Sequence, residues 1–142
     1  VAGLAEARFG AGRDQSGVVL VLTLGTGIGS ALLIDGILVP NTEFGHIELN
    51  GHRAEYWAAD SVRKAHKLTW KKWANQVNMY LQAMEFYLSP DLIILGGGVS
   101  SKHEKFIPHL KVSAPVVPAE LRNKAGIVGA ATAAIGSAQL TA

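Results

Sequence analysis

The sequence predicts a mixed α/β fold, an antiparallel meander followed by strand–helix units. Three observations predict it. A β-branched and leucine-rich run, VVLVLTL at residues 18–24, passes through Gly25-Thr26-Gly27 into a second apolar run at 28–34. Asp35-Gly36 then supplies a strong two-residue hairpin turn. A second buried-strand run, DLIIL at 91–95, follows a long amphipathic segment and opens directly into Gly96-Gly97-Gly98.

The elements follow in order. Residues 2–9 read as a helix closed by Gly10 and Gly12. Residues 18–24, 28–34 and 37–39 make the three-stranded meander. Residues 40–52 form a polar, turn-rich segment in which chemistry-bearing side chains cluster. A helix is expected over 54–66, and a longer one from 69 or 70 to 88. In the longer helix Trp70, Trp73, Val77, Tyr80, Leu81, Met84 and Leu88 fall on one stripe. Ser89-Pro90 ends it, since proline has no N–H to continue the ladder. Residues 91–95 are a strand, 102–110 a short helix, 115–117 a strand and 126–138 a helix of small residues. The fold is thus one part antiparallel and one part parallel. The chain is read as a single partial domain, 1–142, without internal repeats or linkers.

Composition narrows the function classes. The chain has 142 residues, 49% apolar and 17% charged, which suits one globular core. Its formal net charge of +2 gives no ground for nucleic-acid binding. The absence of cysteine excludes disulfides, thiolate zinc sites and a cysteine nucleophile, and it agrees with a reducing, cytoplasmic setting. No apolar run is long enough to span a bilayer, so no membrane partner is expected. The opening VAGLAEARFG lacks the basic and apolar regions of a signal peptide and starts as if within a helix. It reads as the product of truncation or fragment assembly.

Four features carry chemistry. Leu22 to Ser30, LTLGTGIGS, can turn several backbone N–H groups into one concavity that suits phosphate oxygens. The same glycines fit an ordinary hairpin. The spacing is not the dinucleotide fingerprint, and the phosphate-loop lysine is absent. Glu43, His46, Glu48, His52 and Glu55 place carboxylates and imidazoles where they can hold vicinal sugar hydroxyls, a carboxylate accepting two hydrogen bonds in fixed geometry. A solvated acidic loop is the plain alternative, and the spacing does not match a helical metal site. Gly96-Gly97-Gly98 exposes bare backbone at a strand's carboxyl end, where α/β sheets bind ligands. It also fits a plain glycine-rich connection. Arg63, Lys64, His66, Lys67, Lys71 and Lys72 form either a solvated helix face or a track for a polyanion. Trp70, Trp73 and Tyr80 read as core or subunit interface rather than as a sugar platform.

Taken together, LTLGTGIGSALLIDG (22–36), NTEFGHIELNGHRAE (41–55), SPDLIILGGGVS (89–100) and PVVPAELRNKAGIVGAA (115–131) resemble the ROK family of sugar kinases and repressors, most closely its polyphosphate glucokinases. The resemblance covers nearly the whole chain. It implies the actin-like ATPase (ribonuclease H-like) fold, here its carboxy-terminal half, and phosphoryl transfer from polyphosphate, ATP or both to the 6-hydroxyl of glucose. It assigns Glu43, His46 and Glu55 to the sugar. Gly25, Thr26, Gly27, Gly97 and Gly98 fall to phosphate, and Lys64, Lys67, Lys71 and Lys72 to guiding a long polyphosphate. Mg²⁺ comes with the donor. The cysteine-rich zinc motif of many members is missing, so no structural zinc is carried over. The resemblance also implies a homodimer. The family's catalytic Asp and first phosphate loop would lie upstream of Val1. Asp14 is no substitute because it follows the first helix, so the chain by itself is expected to be nearly inactive. The alternative within the resemblance is a non-catalytic sugar-sensing module of a ROK-type repressor.

Overall fold

The computed structural model describes residues 10–121. The expected helices at 2–9 and 126–138 lie outside them. The organising element is a five-stranded sheet in the order β3-β2-β1-β6-β7. β1 (Val18–Leu24), β2 (Ile28–Ile34) and β3 (Ile37–Val39) form the antiparallel meander, with Leu24 opposite Ile28 and Ile34 opposite Ile37. Asp35 and Gly36 both take positive φ, 50° and 79°, as the favoured two-residue hairpin turn requires. A small separate ladder pairs β4 (Glu48–Leu49) with β5 (His52–Arg53). β6 (Leu92–Gly96) and β7 (Val116–Pro118) complete the main sheet, β6 running parallel to β1 and β7 parallel to β6.

β1 is central and covered on both sides, which is why it reads as an unbroken apolar run. Leu20, Leu22 and Leu24 face one core together with Ile93 and Leu95, whereas Val19 and Val21 face a second cluster with Leu33, Leu92 and Ile94. The first core is roofed by a long helix, Trp70–Leu88, whose Trp73, Ala74, Val77, Tyr80, Leu81 and Met84 are buried. The predicted stripe is therefore the packed face. Thr69 caps this helix by accepting from Lys72 N at 3.2 Å, and Ser89 ends it in the left-handed region at φ 44°. Trp73 packs edge-on against Phe106, centroids 4.9 Å apart. Both are fully buried, so Trp73 is core and not interface.

Two expected elements differ. The single helix over 54–66 is two short ones, α1 (Glu55–Ala58) and α2 (Asp60–Ala65), broken at Ala59 with ψ 151°. The Ala59 carbonyl accepts from Trp73 Nε1 at 3.2 Å as well as from Val62 N at 3.1 Å. The Trp70–Leu88 helix is accordingly α3. The expected helix at 102–110 is instead two 3₁₀ segments, Gly98–Lys105 and Ile107–His109. Ser100 and Ser101 hydroxyls donate back to the Gly97 and Gly98 carbonyls at 2.7 and 2.9 Å, and Pro108 blocks a continuous ladder. Among the described residues no helix is long and apolar enough to cross a membrane.

Candidate functional site

Parallel pairing of β1 with β6 brings the two glycine bends together. Thr23 is opposite Gly96, so the chain leaves both strands at the same sheet edge. Gly97, at φ 89°, lies against the backbone of Leu24, where an added Cβ would fall 2.8 Å from the Leu24 carbonyl oxygen. Only glycine allows that approach. The first turn of α2 closes the edge from above, Ser61 N donating to the Gly25 carbonyl at 3.1 Å and Ser61 Oγ to the Thr26 carbonyl at 2.7 Å. The result is a cleft of about 390 Å³ lined by Gly25, Thr26 and Gly98 on the glycine side and by Asp60, Ser61 and Lys64 on the helix side.

The charge in the cleft is organised by Asp60. Its side chain is 8% exposed and is gripped by Arg63 Nε at 2.8 Å and Lys64 Nζ at 3.0 Å. Arg63 in turn lies over Trp70, 4.0 Å from the ring centroid. A buried carboxylate requires such partners. One anion against two cations leaves the group net positive, which suits an anionic ligand.

The acidic loop borders the same edge. Gly45 lies under the backbone of Ile28, so close that a Cβ would collide with the Ile28 carbonyl oxygen, and Phe44 N donates to Ser30 Oγ at 3.0 Å. Both contacts tie the loop to β2. The β4–β5 ladder then folds the chain back, Ala54 N donating to the Ile47 carbonyl at 2.7 Å, and delivers Glu55 to His46. Glu55 Oε1 is 3.9 Å from His46 Nε2 and 3.4 Å from Arg53 Nη1. The other carboxylate oxygen sits against Gly27, 2.6 Å from where a Cβ would be. Below the loop, Tyr80 Oη donates to the Phe44 carbonyl at 2.9 Å. Burial, and after it the negative charge of Glu55, push the Tyr80 phenol far above its ordinary range.

The predicted site residues thus sort themselves. Gly25, Thr26, Gly98 and Lys64 line one cleft. Gly27 links that bend to Glu55, and Gly97 provides the close strand-edge approach. His46 and Glu55 meet, while Glu43 begins the same turn with its carbonyl accepting from His46 N at 3.1 Å and its side chain exposed. Lys67, Lys71 and Lys72 are exposed and do not line the cleft. Sequence reasoning missed Asp60, Ser61 and Tyr80 as parts of this region. For Asp60 a signal existed, because Arg63 and Lys64 stand three and four residues after it, the spacing of helical ion pairs. Among the described residues no cluster of three or more His, Asp or Glu is placed to hold a metal ion.

No family model matches the chain. Individual relatives do. Over 134 residues it is 54% identical to the polyphosphate glucokinase of Mycobacterium tuberculosis, taking in 94% of this chain and 51% of the relative. The chain is a homologue of the polyphosphate glucokinases. It spans about half the length of the curated relatives it matches. The inorganic polyphosphate/ATP-glucomannokinase of Arthrobacter sp. strain KM superposes with a TM-score of 0.89 at 52% identity, over 92% of this chain and 52% of that one. A ROK family glucokinase from Streptomyces griseus, solved with glucose and AMPPNP, superposes with a TM-score of 0.72 at 23% identity, over 92% of this chain and 64% of that one. The fold is accordingly the actin-like ATPase fold of the ROK sugar kinases.

Proposed function

We propose that the chain is part of an enzyme that transfers a phosphoryl group from polyphosphate or ATP to the 6-hydroxyl of glucose. The observation that carries this reading is the contact of Glu55 with Gly27, which sets the acidic loop directly beside the glycine bend. A sugar held by Glu43, His46 and Glu55 then presents a hydroxyl toward an anion in the cleft of Gly25, Thr26 and Gly98. The hydroxyl oxygen attacks the terminal phosphorus and releases its proton to solvent, the bridging P–O bond breaks, and the shortened polyphosphate or ADP departs. Backbone N–H groups of the bends and Lys64 offset the charge on the transferring group. Mg²⁺ accompanying the donor would offset part of its phosphate charge. Asp60 does not compete for it, being engaged by Arg63 and Lys64. Lys67, Lys71 and Lys72 extend the positive surface for a longer polyphosphate chain.

None of the positions matched to the sugar-holding residues corresponds to the family's proton acceptor. On this reading the chain by itself turns over glucose far more slowly than a full-length relative. The resemblance further implies a cytoplasmic homodimer.

The test is calorimetric titration of glucose into the chain and into its Glu43→Ala and Glu55→Gln variants, with a parallel titration of tripolyphosphate. The expected result is a glucose affinity at least about tenfold lower in both variants, a loss of about 1.4 kcal/mol, with tripolyphosphate binding retained. Unchanged glucose affinity would remove the sugar assignment. Glucose binding without any tripolyphosphate binding would favour the sugar-sensing module instead.

A further inference from the structure

The cations beside the glycine cleft continue beyond it. Asp60 holds a different cation on each carboxylate oxygen, Lys64 Nζ on Oδ2 and Arg63 Nε on Oδ1. Lys64 lines the cleft, and Arg63 leads away from it. The Arg63 guanidinium lies 4.0 Å from the centroid of Trp70. Lys105 Nζ lies 5.8 Å from the same centroid. Phe106 stacks nearly parallel to that ring, centroids 6.2 Å apart and planes at 13°. Trp70 therefore joins α2 to the 3₁₀ segment Gly98–Lys105, whose first residues, Gly98 and Val99, also line the cleft. Lys64, Arg63 and Lys105 form one series that starts at the cleft.

Arg63 is held in advance of any ligand. Its side chain is 18% exposed, fixed at Nε by Asp60 and seated on the Trp70 ring. Among the described residues the Nε bond is the only one it donates, so both terminal nitrogens keep their N–H groups free. Neither nitrogen is sealed from water, since the described side-chain atoms that are both sealed and unpartnered are Trp57 Nε1 and Gln76 Oε1 alone. The end of a guanidinium is a planar fork that matches phosphate oxygens. An immobilised arginine also loses little freedom on binding. Lys105 is exposed and makes no ion pair among the described residues. The acid next to it, Glu104, lies 3.8 Å from His103 Nε2. Three cations against Asp60 leave the series net positive, which attracts a polyanion. A nucleobase would need an open aromatic face, and Trp70 is already packed by Arg63 and Phe106.

We propose that Arg63 and Lys105 form a distal subsite for a linear polyphosphate, holding phosphates beyond the one seated in the glycine cleft. The proposal rests on the reading of that cleft as the donor's anion site. Arg63 donates from its two terminal nitrogens to one phosphate unit, and Lys105 meets a later one. A ligand that stays anionic along its length gains at each contact. A nucleotide does not, because a neutral ribose and base follow its phosphates. No bond is made or broken at this subsite. Its course differs from the surface of Lys67, Lys71 and Lys72, which is off the cleft.

The experiment is calorimetric titration of the 142-residue chain with tripolyphosphate, long-chain polyphosphate and ATP, repeated on Arg63→Gln, Lys105→Met and Lys71→Met. The parent is expected to bind the long chain more tightly than tripolyphosphate. Arg63→Gln should shrink that advantage at least about tenfold, the weight of hydrogen bonds made by a charged group. Lys105→Met should shrink it less, and Lys71→Met should leave it nearly intact. Thermal unfolding checks that each variant is folded. Lys105 is exposed, so Lys105→Met decides the matter if Arg63→Gln, which removes a partner of the buried Asp60, fails to fold. If the parent does not bind tripolyphosphate, the anion reading of the cleft fails and the proposal fails with it. If tripolyphosphate binds but the long-chain advantage is absent, or survives in Arg63→Gln and Lys105→Met, the proposal alone is overturned. A larger loss in Lys71→Met than in Lys105→Met overturns it too, since the chain would then run over the other surface. So does an ATP affinity that falls in Lys105→Met as far as the long-chain affinity, because the series would then serve the nucleotide.

Discussion

Tyr80 Oη donates a 2.9 Å hydrogen bond to the carbonyl of Phe44, so the centre of α3 holds the turn that carries Glu43 and His46. The phenol is fully buried, and the bond crosses from the packed core to the site loop. Tyr80→Phe removes one neutral hydrogen bond and leaves the Phe44 carbonyl with only the long 3.5 Å bond from Ile47 N. It should cost about 1–3 kcal/mol in denaturant unfolding. Glucose affinity should fall as well, because the loop loses its fixed point. A variant with lowered stability and unchanged glucose affinity would show that the bond supports the core alone.

The same residue sets an alkaline limit. The Tyr80 phenol is raised in the folded state, first by burial and then by Glu55. In the unfolded chain it titrates near its ordinary value of about 10. Above that pH the unfolded chain releases a proton that the folded one keeps, so stability is full below about pH 10 and falls as pH rises beyond it. Unfolding midpoints measured from pH 8 to 11 should show this decline, and Tyr80→Phe should flatten it.

Much of the fold was legible because it rests on local rules. The Asp35-Gly36 turn needs positive φ at both positions, and few residue pairs other than these accept it. The α3 stripe is long enough for its period to be unambiguous. The break at Ala59 was not legible, because residues 54–66 contain neither Gly nor Pro. It is imposed from a distance, by Trp73 Nε1 on the Ala59 carbonyl and by Ser61 on the Gly25–Thr26 bend. The site divides the same way. The glycine bends could be read individually, but their meeting depends on the β1–β6 register. The approach of Glu55 to His46 depends on the two-residue β4–β5 ladder, which leaves almost no sequence signal.

Asp60 is the buried charge on which the cleft's cations are arranged. Asp60→Asn keeps the shape and one acceptor but loses the charge facing Arg63 and Lys64. The expected loss is about 1.5–3 kcal/mol by chemical unfolding, the range for hydrogen bonds to charged groups. Lys64→Met should cost less than about 1 kcal/mol, because the lysine side chain is 69% exposed and its pair is screened by solvent. Tripolyphosphate affinity should nevertheless drop in Lys64→Met and should drop less in Lys71→Met, which lies off the cleft. Equal effects of the two would place the cation contact on the wider surface and not at Lys64.

Trp73 bears on assembly. It is fully buried within one chain, in edge contact with Phe106. Trp73→Ala should therefore cost about 3–5 kcal/mol of stability, the usual result of emptying a core aromatic site. The elution volume of whatever remains folded should match the parent. A shift in oligomeric state without loss of stability would contradict the packing described.

Gly25 and Gly27 offer the sharpest separation of donor site from sugar site. They are two residues apart, yet their surroundings are opposite. A Cβ on Gly25 meets nothing within 4 Å, while a Cβ on Gly27 falls 2.6 Å from Glu55 Oε2. Gly25→Ala therefore fits the fold without collision and puts its methyl group at the cleft, where a phosphate would approach the backbone. It should leave the unfolding midpoint nearly unchanged and weaken tripolyphosphate binding. Gly27→Ala instead pushes the Glu55 carboxylate away from its place beside His46. Its main effect should be on glucose affinity, with stability little altered because a carboxylate at the end of a side chain can swing aside. If Gly25→Ala leaves tripolyphosphate affinity intact, the bend does not cradle the anion. If Gly27→Ala leaves glucose affinity intact, Glu55 does not hold the sugar. The two results are independent, because one substitution adds volume to the cleft and the other moves a charge outside it.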